Sequence, residues 1–182
     1  MKRLFFFSSL LVVAMVVLVS CSKDDNPKPT PEQASFDVVF SGIKVDANYQ
    51  NVTPPNQTKQ LADVLSSANK DKASSVKGGS IQYNDSYVAI QGLNAGQSLN
   101  SVAINLMNGQ SVSATFNMGK VSATADGSPL KISSNDCMTF LNSVTSTLVS
   151  KKNITLQVVL NGGDTDITNL TITVHATAIF SW

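Results

Sequence analysis

Apolar and polar residues alternate along much of this chain, and that period is typical of half-buried β-strands. The alternation predicts strands over residues 36–47, 81–93, 99–107, 112–123, 154–160 and 170–182. In the first strand the apolar parity shifts around Ser41 and Gly42, which indicates a β-bulge. The dipeptide Asn108-Gly109 predicts a tight hairpin between the third and fourth of these strands.

Two other stretches follow helical spacing. Residues 58–70 predict a short amphipathic helix, and residues 135–151 predict a second helix capped by Ser134 or Asp136. Because turns join most of the strands, the sheets should be largely antiparallel. The expected fold class is therefore α+β: mainly antiparallel β, with a sandwich-like core of six to seven strands and two short helices.

The N-terminus has the pattern of an export segment. A basic start, Met1-Lys2-Arg3, precedes an apolar run from Leu4 to Val19, as in a secretory signal peptide. The run is shorter than the roughly 20 residues that a permanent membrane-spanning helix needs. We therefore expect residues 1–20 to be removed as a signal peptide, with an uncleaved transmembrane anchor as the alternative.

The apolar run ends at Leu18-Val19-Ser20-Cys21, which resembles the lipobox of bacterial lipoproteins. The resemblance implies that Cys21 becomes the first residue and that acyl chains such as palmitate anchor it to the outer membrane. Ser22-Lys23-Asp24-Asp25 resembles the acidic tether signal of Bacteroidetes-type surface-exposed lipoproteins, which implies display toward the cell exterior; a plain hydrophilic spacer is the alternative. Residues 21–35, with prolines at alternate positions, then form a semi-rigid tether, and residues 36–182 form a single β-rich globular domain.

The charge of the mature chain excludes a nucleic-acid role. Cleavage before Cys21 leaves 162 of the 182 residues and 11 of the 13 basic residues, against 12 acidic ones. It also removes Arg3, the only arginine in the sequence. A nucleic-acid protein needs clustered basic residues, and arginine is the usual bidentate clamp for phosphates and carboxylates. The composition therefore argues against nucleic acid and against tight binding of polyanions.

Few residues offer catalytic or metal-binding chemistry. His175 is the only histidine, and the alternation places it on the polar, outer face of the last strand. No Gly-x-Ser-x-Gly motif accompanies it, and the sequence lacks enough histidine and cysteine for a zinc site. Apart from Cys21 the only cysteine is Cys137, which is expected to be a buried apolar side chain. We therefore predict no catalytic residue, no metal site and no cofactor.

Four weaker candidates remain. Asp164 and Asp166 flank a glycine-rich turn and could share a cation, although a plain hairpin turn explains them better. Lys70, Lys72 and Lys77 could form a weak patch for anions, although a solvated loop explains them better. Tyr49, Tyr83, Tyr87 and Trp182 could stack on sugars, but core packing is the simpler explanation for Tyr83 and Trp182. An exposed edge on the last strand could dock a partner strand.

The expected function is based on the predicted lipid anchor at Cys21 more than on the globular domain. We expect a lipid-anchored cell-envelope protein that acts as a surface-displayed binding or adhesion module, without catalytic activity. Its partner would be a protein or a glycan. An accessory subunit of an outer-membrane uptake complex is the alternative, and a hydrolase that joins His175 to an aspartate and a serine is a further one.

Overall fold

The computed structural model describes residues 30–47, 52–163 and 166–182. Within them the chain forms one α-helix, three short 3-10 segments and nine strands. In chain order the helix and strands are β1 (Glu32–Val45), β2 (Gln57–Gln60), β3 (Gly78–Ile81), β4 (Tyr87–Gln91), β5 (Ser98–Asn108), β6 (Ser111–Ser122), β7 (Leu130–Ile132), α1 (Asn135–Lys151), β8 (Asn153–Gly163) and β9 (Ile167–Ser181).

The strands form two antiparallel sheets in a sandwich-like arrangement. The first sheet has the order β1-β9-β4-β7, and β3 also pairs with β9. The second has the order β2-β8-β5-β6. The predicted fold class is therefore confirmed, with more strands among the described residues than the six to seven expected.

The core lies between the sheets and is built from the inward residues of each strand. In β9 the buried inward residues include Leu170, Ile172, Val174, Ala176, Ala178 and Phe180. In β8 they include Ile154, Leu156, Val158 and Leu160. Because neighbours along a strand point to opposite faces, the same alternation leaves threonines and His175 on the outer face of β9.

Helix α1 has the bounds that the sequence predicts, Asn135–Lys151. The Ser134 side chain caps it by accepting a hydrogen bond from the Cys137 N–H, which satisfies one of the free donors of the first turn. The helix ends at Lys152 in a left-handed conformation, φ 65°. Its buried stripe packs chiefly against β3 and also contacts β8 and β6.

The first predicted helix, over residues 58–70, is wrong. Gln57–Gln60 instead forms β2 and pairs with the start of β8, where Thr58 lies opposite Thr155. Only the 3-10 segments Leu61–Asp63 and Lys70–Ser75 retain helical turns in this region. Leu61, Val64 and Leu65 are buried whereas Ala68 is exposed, and pairing of residues 57–60 with β8 outweighs a helical period that covers fewer than four turns.

The predicted strand over residues 81–93 is divided into β3 and β4 by the 3-10 segment Tyr83–Asp85. Ser86 stabilises this break, because its hydroxyl donates to the Gln82 carbonyl and accepts from the Thr177 N–H. Both strands pair with β9. The last strand is therefore interior, with β1 on its other side, and an edge role for β9 is wrong.

Two local predictions are confirmed. The register of β1 against β9 shifts between Phe40 and Ile43, and Gly42 has the positive φ, 66°, of a bulge residue. The predicted hairpin joins β5 to β6: Asn108 pairs with Ser111, Gly109-Gln110 forms the two-residue turn, and Gly109 has the φ of 62° that a tight hairpin turn requires. In the described part of the chain no helix is both long and apolar enough to cross a membrane.

Candidate functional site

A row of four side chains crosses the outer face of the first sheet. His175 of β9 lies opposite Asp37 of β1 and Tyr87 of β4. Its Nδ1 atom is 2.6 Å from Asp37 Oδ1, and its ring stacks on Tyr87 with centroids 4.7 Å apart. The Nζ atom of Lys131 lies 4.4 Å from the centroid of the Tyr87 ring. The prediction that His175 occupies the outer face is confirmed.

This row has part of the geometry that the hydrolase hypothesis requires. Asp37 orients His175 through Nδ1, as the acidic member of a triad does. Among the described residues, however, no serine hydroxyl forms a hydrogen bond with the His175 ring. On the same two strands, the hydroxyl oxygens of Ser35 and Thr177 lie 2.8 Å apart and hydrogen-bond each other. The structure therefore joins the aspartate and the histidine without a positioned nucleophile, and cross-strand stabilisation explains the row.

Cys137 is a buried thiol, as predicted. Burial raises its pKa to about 11, although a hydrogen bond with the backbone of Val88 acts in the opposite direction. Its Sγ donates to the Ile132 carbonyl oxygen at 3.3 Å. Because a cysteine reacts as the thiolate, this thiol is protected and serves the packing of α1 against the first sheet.

Several predicted residues lie outside the described part of the chain. They are Cys21 with the whole tether signal, Tyr49 and Asp164. Asp166 is described, and its carboxylate accepts a hydrogen bond from the Ala47 N–H at 2.8 Å. Among the described residues no group of three or more His, Cys, Asp or Glu side chains could hold a metal ion.

The two aromatic residues assigned to the core differ. Trp182 is partly buried against the core, and its Nε1 donates to the Lys72 carbonyl oxygen at 3.3 Å. Tyr83 is 58% exposed, so the prediction that it packs in the core is wrong. The 3-10 turn between β3 and β4 moves Tyr83 out of the strand alternation, and its hydroxyl accepts a hydrogen bond from the Asn142 side chain at 3.1 Å.

Two grooves lie on either side of the C-terminal end of α1, and the exposed Ser150 lines both; we call them together the α1 cleft. The first groove, of about 440 Å³, lies between residues 76–79 and α1, with Lys152 at its end. The second, of about 280 Å³, lies between the β5–β6 hairpin and α1, beside Lys151. Either groove could hold a small ligand or one segment of a polymer.

The lining of the α1 cleft is basic and polar. It contains Lys77, Lys151 and Lys152, and none of its residues is Asp or Glu. The Lys152 ammonium donates to the Val76 carbonyl oxygen at 2.6 Å, which holds this charge at the groove wall. The uncharged polar side chains are hydroxyls and amides: Asn108, Ser113, Ser146, Thr147, Ser150, Asn153 and Thr155.

The cleft lies at the end of the domain where the chain enters it. Glu32, the first residue of β1, pairs with Phe180 of β9, and Gly79 pairs with Phe180 from the other side. Gly79 lines the first groove. Two strand spacings, about 10 Å, therefore separate the entry point of the chain from the cleft.

Sequence reasoning missed the α1 cleft. The sequence places Lys77 in a lysine-rich loop, with weak anion binding only as the alternative, and Lys151 at the end of the second predicted helix. Lys77 and Lys151 are separated by more than 70 residues in sequence. They lie close together only because β3 packs against α1. The available signal was the lysines at both positions together with the scarcity of acidic residues beside them.

The chain has little similarity to known proteins. No protein-family model matches it, and no curated protein matches it. A solved chain from Desmodium yellow mottle tymovirus is similar over 84% of this chain and 89% of that chain, at 14% sequence identity and a TM-score of 0.34. A likeness this slight carries no argument about architecture or function.

Proposed function

We propose that this protein is a lipid-anchored component of the cell envelope, held at the outer membrane through Cys21 and displayed toward the exterior. In this proposal the β-sandwich is a binding module that holds a glycan or another macromolecule and catalyses no reaction. The observation that carries the proposal is the α1 cleft, a concave surface lined by lysines, hydroxyls and amides. Such groups recognise polar ligands through charge and hydrogen bonds.

The tether supports display. β1 begins at Glu32, four residues before the predicted start of the domain, so the tether predicted over residues 21–35 ends before Glu32. Residues 22–31 would span about 30 Å if they adopt the extended conformation that alternate prolines favour. At the start of β1, Glu32 accepts hydrogen bonds from the Ser66 N–H at 2.6 Å and from the Asn69 side chain at 2.7 Å. These contacts fix the position of Glu32, where the domain begins. The tether would therefore hold the domain away from the membrane, with the end that contains Glu32 facing the membrane.

The anchor is tested by metabolic labelling with an alkyne analogue of palmitate in the native host. We expect the wild-type protein to be labelled and the Cys21→Ala variant to be unlabelled and unprocessed. Cys137→Ala is the matched control, since it removes the other cysteine, and it should be labelled like the wild type. Labelling of Cys21→Ala would exclude the proposed anchor.

Display and binding need separate measurements. Protease treatment of intact cells should degrade the wild-type protein while a periplasmic marker survives. The detergent-solubilised lipoprotein should then bind on a glycan array or to a cell-surface protein. Stable recovery with a membrane transporter, and no binding to isolated glycans, would favour a subunit of an uptake complex. Protection from the protease together with an absence of any bound partner would contradict the proposal.

A further inference from the structure

We propose that the α1 cleft binds an anionic polysaccharide, whose sugars carry carboxylate or sulfate groups. This inference rests on the proposed function and deepens it, because it names the class of ligand and the surface that holds it.

The charges of the cleft favour an anion. Lys77 and Lys152 line the first groove, Lys151 lines the second on the other side of Ser150, and neither lining contains a carboxylate to neutralise them. Lys70 is separate, since it forms an ion pair with Asp63 at 3.7 Å. A concave surface lined by charges of one sign concentrates ligands of the opposite sign. The cleft therefore attracts anions, although the mature chain carries slightly more acidic than basic residues.

The Lys152 side chain is held in a position from which it can bind an anion. Its ammonium donates one hydrogen bond to the Val76 carbonyl oxygen at 2.6 Å. An ammonium group has three donors, so two remain for a ligand. Because the side chain is already fixed in the groove, little conformational entropy is lost when a carboxylate or sulfate binds there.

The remaining lining favours sugar over peptide. Hydroxyl and amide side chains both donate and accept hydrogen bonds, which matches the hydroxyls of a sugar ring. Peptides usually dock through aromatic or large apolar anchors. The lining contains seven hydroxyl or amide side chains and only three apolar ones of valine size or larger, Val76, Met107 and Val149. A polyhydroxylated chain with acidic groups therefore matches the cleft better than an acidic peptide that docks through apolar side chains.

The affinity of one cleft should be modest. Lysine acts as a point charge and cannot form the bidentate contacts of arginine, in agreement with the sequence-based argument against tight binding of polyanions. A polysaccharide repeats its acidic group along its length, so many anchored copies can hold one polymer together. Such multivalency raises the apparent affinity without new contacts.

The test uses the full-length lipoprotein in neutral detergent at physiological ionic strength. Binding is measured to polygalacturonate (carboxylate), chondroitin sulfate (sulfate and carboxylate), dextran (neutral), polyglutamate (acidic peptide) and vesicles that contain phosphatidylglycerol. We expect one or both acidic polysaccharides to bind and dextran not to bind. Lys77→Gln with Lys151→Gln should weaken that binding about tenfold.

The matched control is Lys44→Gln with Lys120→Gln, which removes the same charge at the opposite end of the sandwich and should change affinity less than about twofold. Ser146→Ala with Ser150→Ala leaves the charge intact and should weaken polysaccharide binding alone. Equal weakening by the control pair, or binding of polyglutamate as strong as that of the polysaccharides, would overturn the inference. So would vesicle binding that Lys77→Gln with Lys151→Gln abolishes, because binding through the acyl chains on Cys21 does not depend on these lysines. If no acidic polysaccharide binds while Cys21 is lipidated and another partner is found, the inference fails and the proposed function stands.

Discussion

Asp37 and His175 lie directly opposite each other on paired strands, with 2.6 Å between the carboxylate oxygen and Nδ1. Tyr87 stacks on the other side of the same histidine. Both contacts are on the outer face of the first sheet, where solvent weakens electrostatic attraction. The stacking contact should therefore contribute at least as much to stability as the hydrogen bond between Asp37 and His175 does.

A double-mutant cycle measures this difference. We expect a coupling free energy of about 0.5–1 kcal/mol between Tyr87 and His175, using Tyr87→Leu and His175→Leu. The coupling between Asp37 and His175, using Asp37→Ala, should be below about 1 kcal/mol because the Asp37 side chain is 52% exposed. Urea unfolding gives both values. A Tyr87–His175 coupling indistinguishable from zero would show that the stacking adds nothing to the sheet.

The Thr145 hydroxyl is buried in α1 without a hydrogen-bond partner among the described residues. Burial of an unpaired hydroxyl is unfavourable, and valine has nearly the same shape. Thr145→Val should therefore stabilise the fold by about 1 kcal/mol, which raises the melting temperature by about 2–4 °C for a domain of this size. Calorimetry of the variant tests the expectation.

The control for that variant is Thr139→Val, on the same helix. The Thr139 hydroxyl is exposed and donates to the Asn135 carbonyl oxygen, so its removal should leave stability unchanged or slightly lower it. If Thr145→Val melted at or below the wild-type temperature, the Thr145 hydroxyl would have to be satisfied in the folded protein.

Gly92 and Gly96 both have positive φ, and comparing their alanine variants distinguishes the cost of backbone strain from the cost of steric overlap. Gly96 has φ 85° and open space where a Cβ would be, whereas Gly92 has φ 97° and a Cβ there would overlap the Asn169 carbonyl oxygen. Gly96→Ala should cost about 1 kcal/mol from the backbone alone. Gly92→Ala should cost at least about 2 kcal/mol more, because β4 would have to move away from β9. Equal destabilisation of the two variants in urea would contradict this close approach.

Glu32 makes stability depend on pH. Burial alone raises its pKa, but hydrogen bonds from the Ser66 backbone, the Asn69 side chain and the Ser66 hydroxyl outweigh it, and the net pKa lies below its ordinary value of 4.5. A carboxyl with a lowered folded pKa contributes stability above its unfolded pKa and loses it as the pH falls through the folded pKa.

Glu32→Gln should therefore lower stability at pH 7 and remove part of the loss that the wild type shows on acidification below about pH 4.5. Unfolding free energies measured from pH 7 to pH 3 should converge for the two proteins at the acidic end. Parallel profiles across the whole range would show that the carboxylate of Glu32 is not held more strongly in the folded state.

Local signals in the sequence predicted the fold well where one short segment determines its own geometry. Asn108-Gly109 specifies a hairpin because only certain residues adopt the turn, and Ser134 with the apolar stripe behind it specifies α1. The helix predicted over residues 58–70 failed because β8 offers Thr58 and its neighbours a strand partner. That competition is non-local, so the apolar spacing of the segment could not reveal it.

The candidate site was less predictable for the same reason. His175 could be placed on the outer face from strand parity, but its contacts with Asp37 and Tyr87 depend on the order β1-β9-β4. The α1 cleft depends on β3 lying beside the end of α1, and strand order cannot be derived from alternation alone. Contacts between side chains from distant segments therefore could not be predicted from the sequence, because they depend on the order of the strands.

The pairing of both Glu32 and Gly79 with Phe180 also determines how mechanical load would cross the domain. A pull between the proposed anchor and a ligand held in the first groove, against β3, would enter at the start of β1 and reach β3 across the end of β9. Two neighbouring strand pairs would form the shortest path for that tension. A ligand that also occupied the second groove would load β5, β6 and β8 as well, so both sheets would share the force.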